Sequence, residues 1–449
     1  MSHADRRIQK ALLAVILAGG RGTRLGVLTE KRCKPELPFG KNRFIDFALS
    51  NVVNSNVAHT MILTQYMQQG LTVHIRKLNL NAPLWGKTVE VVPAQQRLGD
   101  ESWYVGNANA VYQNHEAIRD NPADTVVILA ADHIYKLDIR QLHTYHQDKC
   151  AQFTVCGMSM KSEEAAGNFG VMELDANNKI IGFEEKPKTP KIIPGREGIS
   201  FGSMGIYMVE KQLLLEVLSE DHDDPLSEHD FGKNIIPKLI EKQSAIFAYD
   251  YKDNMIPGEI KIVNGVDIQQ HYWRDVGRID SYWQSLMDLV AVSPILNLYN
   301  KEWPVPTMWD MLPQAKFIFP NRERYQAEFK DHPYPFLPDM ITSGGCVFDS
   351  PRNLYKAIFG RSGRTGYGAD IAKSIIFDDV IIGDRVRLVH TIVEEGVRVP
   401  DGARVGYDEA EDIANGVIID KDHDPNADNP AIRIITKDSH FRRLAPQVK

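Results

Sequence analysis

Apolar runs alternate with helix-like segments along roughly the first two thirds of the chain. Segments such as ALLAVILA and TVVILAA lack polar alternation, so they predict strands with both faces buried, as in a parallel sheet covered by helices. Segments such as KQLLLEVLSE carry apolar residues at positions i, i+3 and i+4, which predicts helices. Sheets of this kind bind ligands beyond the carboxyl ends of their strands. The predicted strands include residues 11–18, 125–135, 152–160 and 198–209, and the predicted helices include residues 44–56, 211–220 and 229–242.

The pattern changes after residue 290. Residues 293–314 (SPILNLYNKEWPVPTMWDMLPQ) are rich in proline and aromatic side chains, which is typical of a connection that packs on a neighbouring unit. The sequence therefore predicts three parts: a first domain over residues 1–290, a connecting segment over residues 291–340 and a last domain over residues 341–449.

A short apolar repeat occupies residues 376–406. Apolar side chains recur every six residues, with one gap of five, and a second apolar set follows each of them by four or five positions. Such a hexapeptide repeat predicts a parallel β-helix, and an ordinary sheet with turns at glycine is the alternative. Residues 353–374 keep the repeat poorly, so we expect them to be irregular. The first set is Ile376, Ile382, Leu388, Val393, Val399 and Val405, and the second is Val380, Val386, Ile392, Val397 and Ala403.

Composition narrows the functional classes. The 449 residues are 43% hydrophobic and 25% charged, which is typical of a globular protein, and the net charge of −7 argues against a general nucleic-acid or membrane surface. Four cysteines without CxxC spacing favour reduced thiols in a cytoplasmic protein. The ALLAVILAGG stretch is too short to span a bilayer. Any phosphate site must therefore consist of a few placed cations and backbone amides, not of a generally basic surface.

The stretch LAGGRGTRL, residues 17–25, follows the first predicted strand. It lacks the lysine of a P-loop and the third glycine of a dinucleotide fingerprint. Its backbone amides can still surround an anion, with Arg21, Arg24 and the later Lys34 supplying positive charge. The alternative is a tight turn with solvated arginines.

Two aspartates are candidates for a metal site. Asp132 follows an apolar run and is expected at the carboxyl end of its strand, and Asp275 lies in the aromatic stretch YWRDVG. Mg²⁺ prefers oxygen ligands and binds readily where carboxylates meet phosphates. The alternative for Asp132 is a helix cap.

Two further stretches complete the candidate site. FEEKP places Lys186 after two glutamates and before a proline, and a lysine can anchor a phosphate while a glutamate accepts from sugar hydroxyls. GDESWYVGNANAV, residues 99–111, has the composition of a lid over a ligand. A solvated charged turn is the alternative for FEEKP.

Three other side chains have competing interpretations. His143 and His146 lie three residues apart and could face one metal, but a solvated helix face is favoured because no third ligand is evident. Cys33 follows two cations and could be redox-sensitive, but an inert thiol is favoured.

Many collinear stretches together resemble the bacterial glucose-1-phosphate adenylyltransferase family of glycogen synthesis along nearly the whole chain. They include LAGGRGTRL, KRCKPELPFG, PAQQR, WYVGNANAV, ADHIYK, EEKP, SMGIY, HDFGKNIIP and YWRDVG. The resemblance implies an α/β protein with a Rossmann-like nucleotidyltransferase domain on a mostly parallel mixed sheet, followed by a left-handed parallel β-helix. It also implies a homotetramer, adenylyl transfer from ATP to glucose 1-phosphate, a Mg²⁺ cofactor and sugar-phosphate or nucleotide effectors.

The resemblance also assigns roles to residues. It implies Asp132 and Asp275 as metal ligands, and it adds catalytic roles for Arg24, Lys34, Asp132 and Lys186. For ATP it implies Leu17, Ala18, Gly19, Gly20, Arg21, Gly22 and Thr23, with the adenine near Gln95 and Gln96. For glucose 1-phosphate it implies Tyr104, Gly170, Glu185, Lys186 and Ser203. Regulatory roles fall on Lys31, Gln65 and Trp103.

The sequence departs from the family pattern at Asn107, Asn109 and Ala131, where threonine, aspartate and glycine are usual. Residues 408–430 are acidic where relatives often carry basic side chains, so we expect an altered response to fructose 1,6-bisphosphate. Transfer of another nucleotide, giving UDP- or dTDP-glucose, and a non-catalytic regulatory subunit are the alternatives. The PAQQR, HDFGKNIIP and YWRDVG stretches favour adenylate, and retention of the loop cations argues against the subunit.

Overall fold

The computed structural model describes residues 11–78, 80, 87–95, 103–259, 261–263, 266–308, 310–319, 322–331, 334–420 and 430–441. Within these residues no helix has both the length and the apolar character needed to cross a bilayer.

Within the described residues, a nine-stranded sheet forms the centre of the first half. The strands of this half are β1 (Leu12–Ala18), β2 (His59–Thr64), β3 (Thr88–Pro93), β4 (Thr125–Ala130), β5 (His133–Tyr135), β6 (Phe153–Lys161), β7 (Val171–Leu174), β8 (Ile180–Glu184), β9 (Ile199–Glu210), β10 (Ile246–Asp250) and β11 (Trp273–Asp275). The order in the sheet is β8-β7-β9-β4-β1-β2-β3, and β6 joins it by pairing with β9 and β10. A separate two-stranded ladder joins β5 to β11.

Strand β1 shows why its sequence has no polar alternation. Leu13 and Val15 pack into the core on one face of the sheet, and Leu12, Ala14 and Ile16 pack into the core on the other face. Because helices cover both faces, every position of the strand needs an apolar side chain. These and the later helices are α1 (Phe44–Asn54), α2 (Gln68–Leu78), α3 (Asn107–Tyr112), α4 (His115–Asp120), α5 (Ile139–Asp148), α6 (Ser162–Ala165), α7 (Lys211–His222), α8 (Ile236–Glu241), α9 (Ile279–Leu289), α10 (Arg322–Glu328) and α11 (Glu409–Ala414).

The sheet is mixed. Strand β1 runs parallel to β2 and β4, whereas the long strand β9 runs antiparallel to β4, β6 and β7. A shift of register between Ser203 and Ile206 bends β9, and Gly205 adopts a positive φ of 66° there. A glycine suits this bend because it reaches positive φ without steric cost. The mostly parallel mixed sheet expected from the family resemblance is therefore confirmed.

Short helical turns and hairpins complete the first half. Short helical segments span Thr23–Thr29, which is kinked at Gly26, as well as Lys34–Glu36 and Tyr251–Asp253. A wider turn spans Phe231–Ile235 directly before α8. Hairpins join Pro38–Phe39 to Asn42–Arg43 and Lys261–Val263 to Val266–Ile268.

The last part of the chain is a parallel β-helix, as the hexapeptide repeat predicts. Side chains 17 residues apart lie on neighbouring coils, as in the hydrogen bond from Asn353 to Asp370. The strands are β12 (Lys316–Ile318), β13 (Ile341–Thr342), β14 (Val347–Asp349), β15 (Asn353–Tyr355), β16 (Ile358–Phe359), β17 (Arg364–Thr365), β18 (Asp370–Ala372), β19 (Ile375–Ile376), β20 (Ile381–Ile382), β21 (Arg387–Val389), β22 (Thr391–Val393), β23 (Arg398–Val399), β24 (Arg404–Val405), β25 (Ile418–Ile419) and β26 (Arg433–Ile435).

The expectation of irregular structure over residues 353–374 is wrong. Strands β15 to β18 lie in this segment and stack in the same parallel register as the later coils. The repeat is hard to see there because Thr365 replaces an aliphatic residue at a buried position. The interpretation of Ile392 also changes: its side chain belongs to the core shared with the first domain, not to the interior of the β-helix.

An apolar contact joins the two halves. Ile358, Ile375 and Ile392 lie on the same sheet of the β-helix and share a core with residues of α9. Trp283 of α9 also donates a hydrogen bond from Nε1 to the carbonyl oxygen of Lys373, at 3.0 Å. Apolar side chains of one β-helix sheet therefore hold the β-helix against the first domain.

The connecting segment packs on the first domain. Trp303 is 1% exposed, and the carbonyl oxygen of Pro304 accepts a hydrogen bond from Asn54 Nδ2 at 2.9 Å. The limits of the three parts, at residues 290 and 340, stay predictions.

Candidate active site

The first loop begins where β1 ends. Gly22 has a φ of 67°, and a Cβ atom on it would lie 2.9 Å from Cβ of Lys34, so both conformation and space require glycine there. Thr29 Oγ1 donates a hydrogen bond to the carbonyl oxygen of Gly22, at 2.9 Å. A Cβ on Gly20, by contrast, would meet no atom of the described residues within 4 Å. The bare backbone at Gly20 therefore faces open space beside the cleft.

Lys34 forms ion pairs with both predicted metal ligands, Asp132 and Asp275. Its side chain is buried, and Nζ lies 2.8 Å from Asp132 Oδ2 and 3.3 Å from Asp275 Oδ1. Asp132 comes just after β4, at the carboxyl end of the strand, as predicted. Asp275 arrives from a distant part of the chain because β11 pairs antiparallel with β5, with Asp275 opposite His133.

The electrostatics of this cluster favour its charged form. Burial by itself lowers the pKa of Lys34, but the carboxylates of Asp132 and Asp275 outweigh it, so the pKa is raised above its ordinary value. Burial likewise tends to raise the pKa of Asp132, yet Lys34 and His133 hold it well below its ordinary value. Lys34 therefore stays protonated and Asp132 stays ionised at neutral pH.

A cleft of about 380 Å³ lies beside this cluster. The first loop contributes Gly19 and Gly20 to its wall, and Lys34 and Asp132 reach its edge. Gln65 fixes another wall, because its Oε1 accepts a hydrogen bond from the backbone N of Tyr104 at 2.9 Å. The remaining lining residues are Leu17, Pro35, Leu63, Gln65, Tyr104, Gly106, Asn107, Ala110, Ala130, Gly205 and Tyr207.

A second group of predicted residues meets near the end of β8. Ser203 donates a backbone hydrogen bond to the carbonyl oxygen of Gly170 at 2.8 Å. A Cβ on Gly170 would lie 2.8 Å from Glu185 Oε2, so Glu185 sits directly over this glycine. Burial, followed by the nearby Asp230, raises the pKa of Glu185 above its ordinary value. Tyr207 links the group to the cleft, because it lines the cleft and lies close enough to Glu185 and Ser203 for both to affect the pKa of its hydroxyl.

Other predicted cations lie at the margin. The Lys186 side chain is 55% exposed, with Nζ 3.6 Å from Glu185 Oε1. Arg24 is exposed, and its guanidinium covers Gly277, two residues after Asp275. Arg21 is exposed near the ring of Tyr66, 6.0 Å from its centroid.

The remaining predicted residues are dispersed. Lys31 is exposed on the side of the first domain that faces the β-helix, where it acts electrostatically on Glu394. Trp103 is 54% exposed. Three further residues complete the set: Ala18 is buried at the end of β1, Thr23 is exposed after the loop, and Gln95 is exposed just after β3. Gln96 and the part of the predicted lid over residues 99–102 lie outside the described residues.

From the sequence, no role was assigned to two side chains near the site, His133 beside the aspartates and Tyr207 in the cleft. His133 was part of the quoted ADHIY stretch but received no role, although its Nε2 lies 3.7 Å from Asp132 Oδ1 and 3.8 Å from Asp275 Oδ1. Tyr207 was part of a predicted strand. The alternation of β9 could have shown that Tyr207 shares a face with Ser203 and Gly205, since side chains two apart point the same way.

The competing interpretations of other residues are also decided. The inert thiol is confirmed at Cys33, because burial raises its pKa to about 12. The solvated helix face is wrong for His143 and His146, since both side chains are buried, and His146 Nδ1 lies 2.8 Å from Thr154 Oγ1. Among the described residues, neither histidine belongs to a cluster that could hold a metal.

The cluster fits a divalent cation. Asp132, His133 and Asp275 each offer a ligand atom, and these atoms lie within 4.8 Å of one another. Two carboxylates at the edge of the cleft supply the oxygen donors that hard cations prefer. Lys34 shows that this position already accommodates a positive charge.

Comparison with known proteins agrees with this geometry. Residues 13–291 match the family model described as "Nucleotidyl transferase", and residues 313–422 match the model described as "GlmU-like, C-terminal hexapeptide". The sheet, the first loop and the paired aspartates thus belong to a protein of the nucleotidyl transferase class.

Curated relatives narrow the class. Glucose-1-phosphate adenylyltransferase of Nitrosospira multiformis is 40% identical over 90% of this chain and 91% of its own length. The enzymes of the same name from Teredinibacter turnerae and Rhodopirellula baltica are each 39% identical over 92% of this chain, covering 94% and 88% of their own lengths. The chain belongs to the glucose-1-phosphate adenylyltransferase family.

Proposed function

We propose that this protein transfers the adenylyl group of ATP to glucose 1-phosphate, forming ADP-glucose and pyrophosphate for glycogen synthesis. The observation that carries the proposal is the meeting of Asp132 and Asp275 on Lys34 at the edge of a cleft lined by Gly19 and Gly20. The names of the relatives support the choice of substrates.

The chain's own residues position two polyanions. A phosphate oxygen of glucose 1-phosphate attacks the α-phosphorus of ATP in line, and the bond to pyrophosphate breaks without a covalent enzyme intermediate. We assign the amides of Gly19 to Gly22, with Arg21, Thr23, Arg24 and Lys34, to the triphosphate, and Leu17 and Ala18 to the strand end beneath it. Their charge offsets the repulsion between the substrates and stabilises the leaving pyrophosphate. Gln95 and Gln96 are assigned to the adenine.

The second group holds the other substrate. We assign Glu185, Gly170, Ser203 and Tyr104 to the glucose ring and Lys186 to its phosphate. Glu185 suits a sugar because a carboxylate accepts hydrogen bonds from hydroxyl groups. Lys186 is exposed and can move to an incoming phosphate.

A divalent cation completes the site. We assign Asp132 and Asp275 as its ligands and Mg²⁺ as the ion, because both donors are carboxylates. When bound, the ion offsets negative charge on the phosphates. Lys34 remains close enough to share the carboxylates.

The decisive experiment compares initial rates with ATP, UTP and dTTP on glucose 1-phosphate. We expect ADP-glucose to form at least about tenfold faster than UDP- or dTDP-glucose, since one well-placed hydrogen bond to the base contributes about 1.4 kcal/mol or more. Faster reaction with UTP or dTTP would overturn the choice of nucleotide. No transfer from any triphosphate would overturn the reaction itself.

Regulation is proposed for Lys31, Gln65 and Trp103, with sugar-phosphate or nucleotide effectors. Arg32, beside Lys31, lies 3.6 Å from Glu395, and Glu394 also faces Lys31 and Arg32. These carboxylates offset the attraction of an anion, which supports an altered, weakened response to fructose 1,6-bisphosphate. Assays with and without that effector decide the question, and a large activation that disappears in K31A would contradict the weakened response.

We propose a cytoplasmic homotetramer. The family resemblance supports this assembly, and the absence of CxxC spacing supports a reducing compartment. Light scattering of the purified protein should give four times the chain mass of 50.7 kDa. A mass of one or two chains would contradict the tetramer.

A further inference from the structure

The two asparagines of α3 occupy different kinds of site although they lie two residues apart. Asn107 lines the cleft, and its side chain bonds in both directions: Oδ1 accepts from the backbone N of Phe231 at 2.9 Å, and Nδ2 donates to Asp230 Oδ2 at 2.9 Å. Only a side chain with one donor and one acceptor can make both bonds.

Residues 228–233, which include both hydrogen-bond partners of Asn107, lie next to the residues assigned to glucose 1-phosphate. Asp230 Oδ1 accepts from the backbone N of Gly232 at 2.8 Å and of Lys233 at 3.0 Å, so Asp230 caps the turn that begins there. Gly232 lies against Glu185, since a Cβ on Gly232 would come within 2.4 Å of Glu185 Oε2. A shift of Asp230 would therefore move the surface against which Glu185 is packed.

The backbones of the two segments also touch. The backbone N of Ala108 donates to the carbonyl oxygen of His229 at 2.9 Å, and a Cβ on Gly106 would lie 2.3 Å from that same oxygen. His229 is held in turn by Asp221, with Nδ1 at 2.8 Å from Oδ2. The start of α3 and residues 228–233 are thus one packed unit.

We propose that Asn107 is a positioning residue for glucose 1-phosphate, acting through Asp230 and the turn after it on Glu185. This inference rests on the proposed function, because it takes Glu185 as a sugar ligand. In the proposal Asn107 contacts neither substrate. It fixes the position of Asp230, and through it that of Glu185, relative to the start of α3.

Asn109 supplies a matched control. Its Oδ1 accepts from the backbone N of Val105 at 3.2 Å and from Gln113 Nε2 at 3.0 Å. A carboxylate can accept both bonds, so N109D keeps this network. N107D, by contrast, replaces the donor that faces Asp230 with an oxygen, which places two carboxylates in contact.

The test compares N107D with N109D at two pH values. Two carboxylates in contact are relieved when they share one proton, so N107D should recover at lower pH. The charged and titratable groups around Asp230 are Glu185, Tyr207, Lys233, Glu228 and His229, with Lys186 beyond Glu185. They are the same in both variants. Each value is divided by that of the unsubstituted protein at the same pH, because the phosphate of glucose 1-phosphate itself titrates near pH 6.

We expect N107D to raise the KM for glucose 1-phosphate about tenfold at pH 8 and about twofold at pH 6, with a smaller change in the KM for ATP. N109D should match the unsubstituted protein at both pH values. A KM in N107D that equals that of N109D at pH 8, or one that rises equally for both substrates without recovery at pH 6, would overturn the proposal.

A second readout separates this inference from the proposed function. The melting temperature of N107D should fall at pH 8 and recover at pH 6 relative to N109D, whether or not the protein uses glucose 1-phosphate. Absence of ADP-glucose formation by the unsubstituted protein would overturn the proposed function. A melting temperature of N107D that equals that of N109D at both pH values would overturn the contact on which this inference depends.

Discussion

Two glycines of the first loop have different reasons to be glycine. Gly22 is required by the fold, because its φ is 67° and a Cβ would lie 2.9 Å from Cβ of Lys34. Among the described residues, a Cβ on Gly20 would meet nothing within 4 Å, so these neighbours do not require glycine there. The turn explains the glycine at position 22, and we attribute the glycine at position 20 to the proposed approach of the nucleotide.

This difference predicts opposite results for two alanine substitutions. G22A should lower the free energy of unfolding by about 1–2 kcal/mol, the usual cost of a left-handed conformation for a residue with a Cβ. G20A should leave the melting temperature unchanged and raise the KM for ATP about tenfold if its backbone approaches the triphosphate. Thermal melts and initial rates on both variants check this. A G20A protein with normal KM would remove this part of the loop from the nucleotide site.

The paired aspartates predict a loss of turnover rather than a loss of stability. D132N should lower kcat for ADP-glucose formation about 100-fold or more, since removal of one electrostatic group at a reacting centre costs about that much. The fold should persist, because Lys34 keeps Asp275 as a partner. D253N is the control, since Asp253 is an exposed aspartate in the turn at Tyr251–Asp253. ADP-glucose synthesis that survives in D132N would contradict the assigned metal site.

At the scale of elements, register decides which residues meet. The pairing of β5 with β11 sets Asp275 opposite His133, and the stacking of β-helix coils sets Asn353 beside Asp370. Between residues 341 and 405 this register repeats every 17 residues, which accommodates two steps of six and one of five. The single gap of five seen in the sequence is thus a regular feature of these coils.

The stacking of coils predicts a stabilising substitution in the segment where the repeat is hidden. Thr365 is buried, and its Oγ1 has no hydrogen-bond partner in the part of the chain that the structure describes. T365V replaces this hydroxyl with a methyl group of similar size and should raise the free energy of unfolding by about 1 kcal/mol. T365S is the control and should be destabilising, since it keeps the hydroxyl and loses a methyl group. Chemical denaturation measures both, and a less stable T365V would mean that the hydroxyl is satisfied in solution.

At the scale of the whole molecule, the contact between the two halves contains a buried histidine. His390 lies in the β-helix with its ring centroid 5.4 Å from that of Trp283 in α9. Burial, with smaller contributions from Lys373 and Arg433, lowers its pKa to about 4. The neutral ring is therefore the form that the packed interface accommodates.

This interface predicts a loss of stability in acid. The unfolded chain binds a proton at His390 near pH 6.5, whereas the folded chain does so only near pH 4. Stability from this group is complete above about pH 6.5 and falls as the pH drops toward 4, by at most about 3 kcal/mol. H390Q should flatten the pH dependence of the melting temperature in that window. An unchanged slope would assign the acid sensitivity to other groups.

Much of the candidate site could be predicted from sequence, for local reasons. Asp132 directly follows an apolar strand, and Gly19 to Arg24 directly follow another, so their placement at one edge needs only the rule for parallel strands. Asn107 was recognised only as a departure from a pattern. Its role depends on Asp230, more than 100 positions away, and no local pattern reports such a contact.

The sequence by itself determined the main strands and helices of the first domain and the stacking of residues 376–406, because burial of apolar side chains at fixed spacing leaves few alternatives. Only the tertiary structure decided that Asp275 meets Lys34, that His143 and His146 are buried and that Ile392 faces the first domain. These facts depend on how distant elements pack. The periodicity of one segment shows that a face is covered, and it cannot show which element covers it.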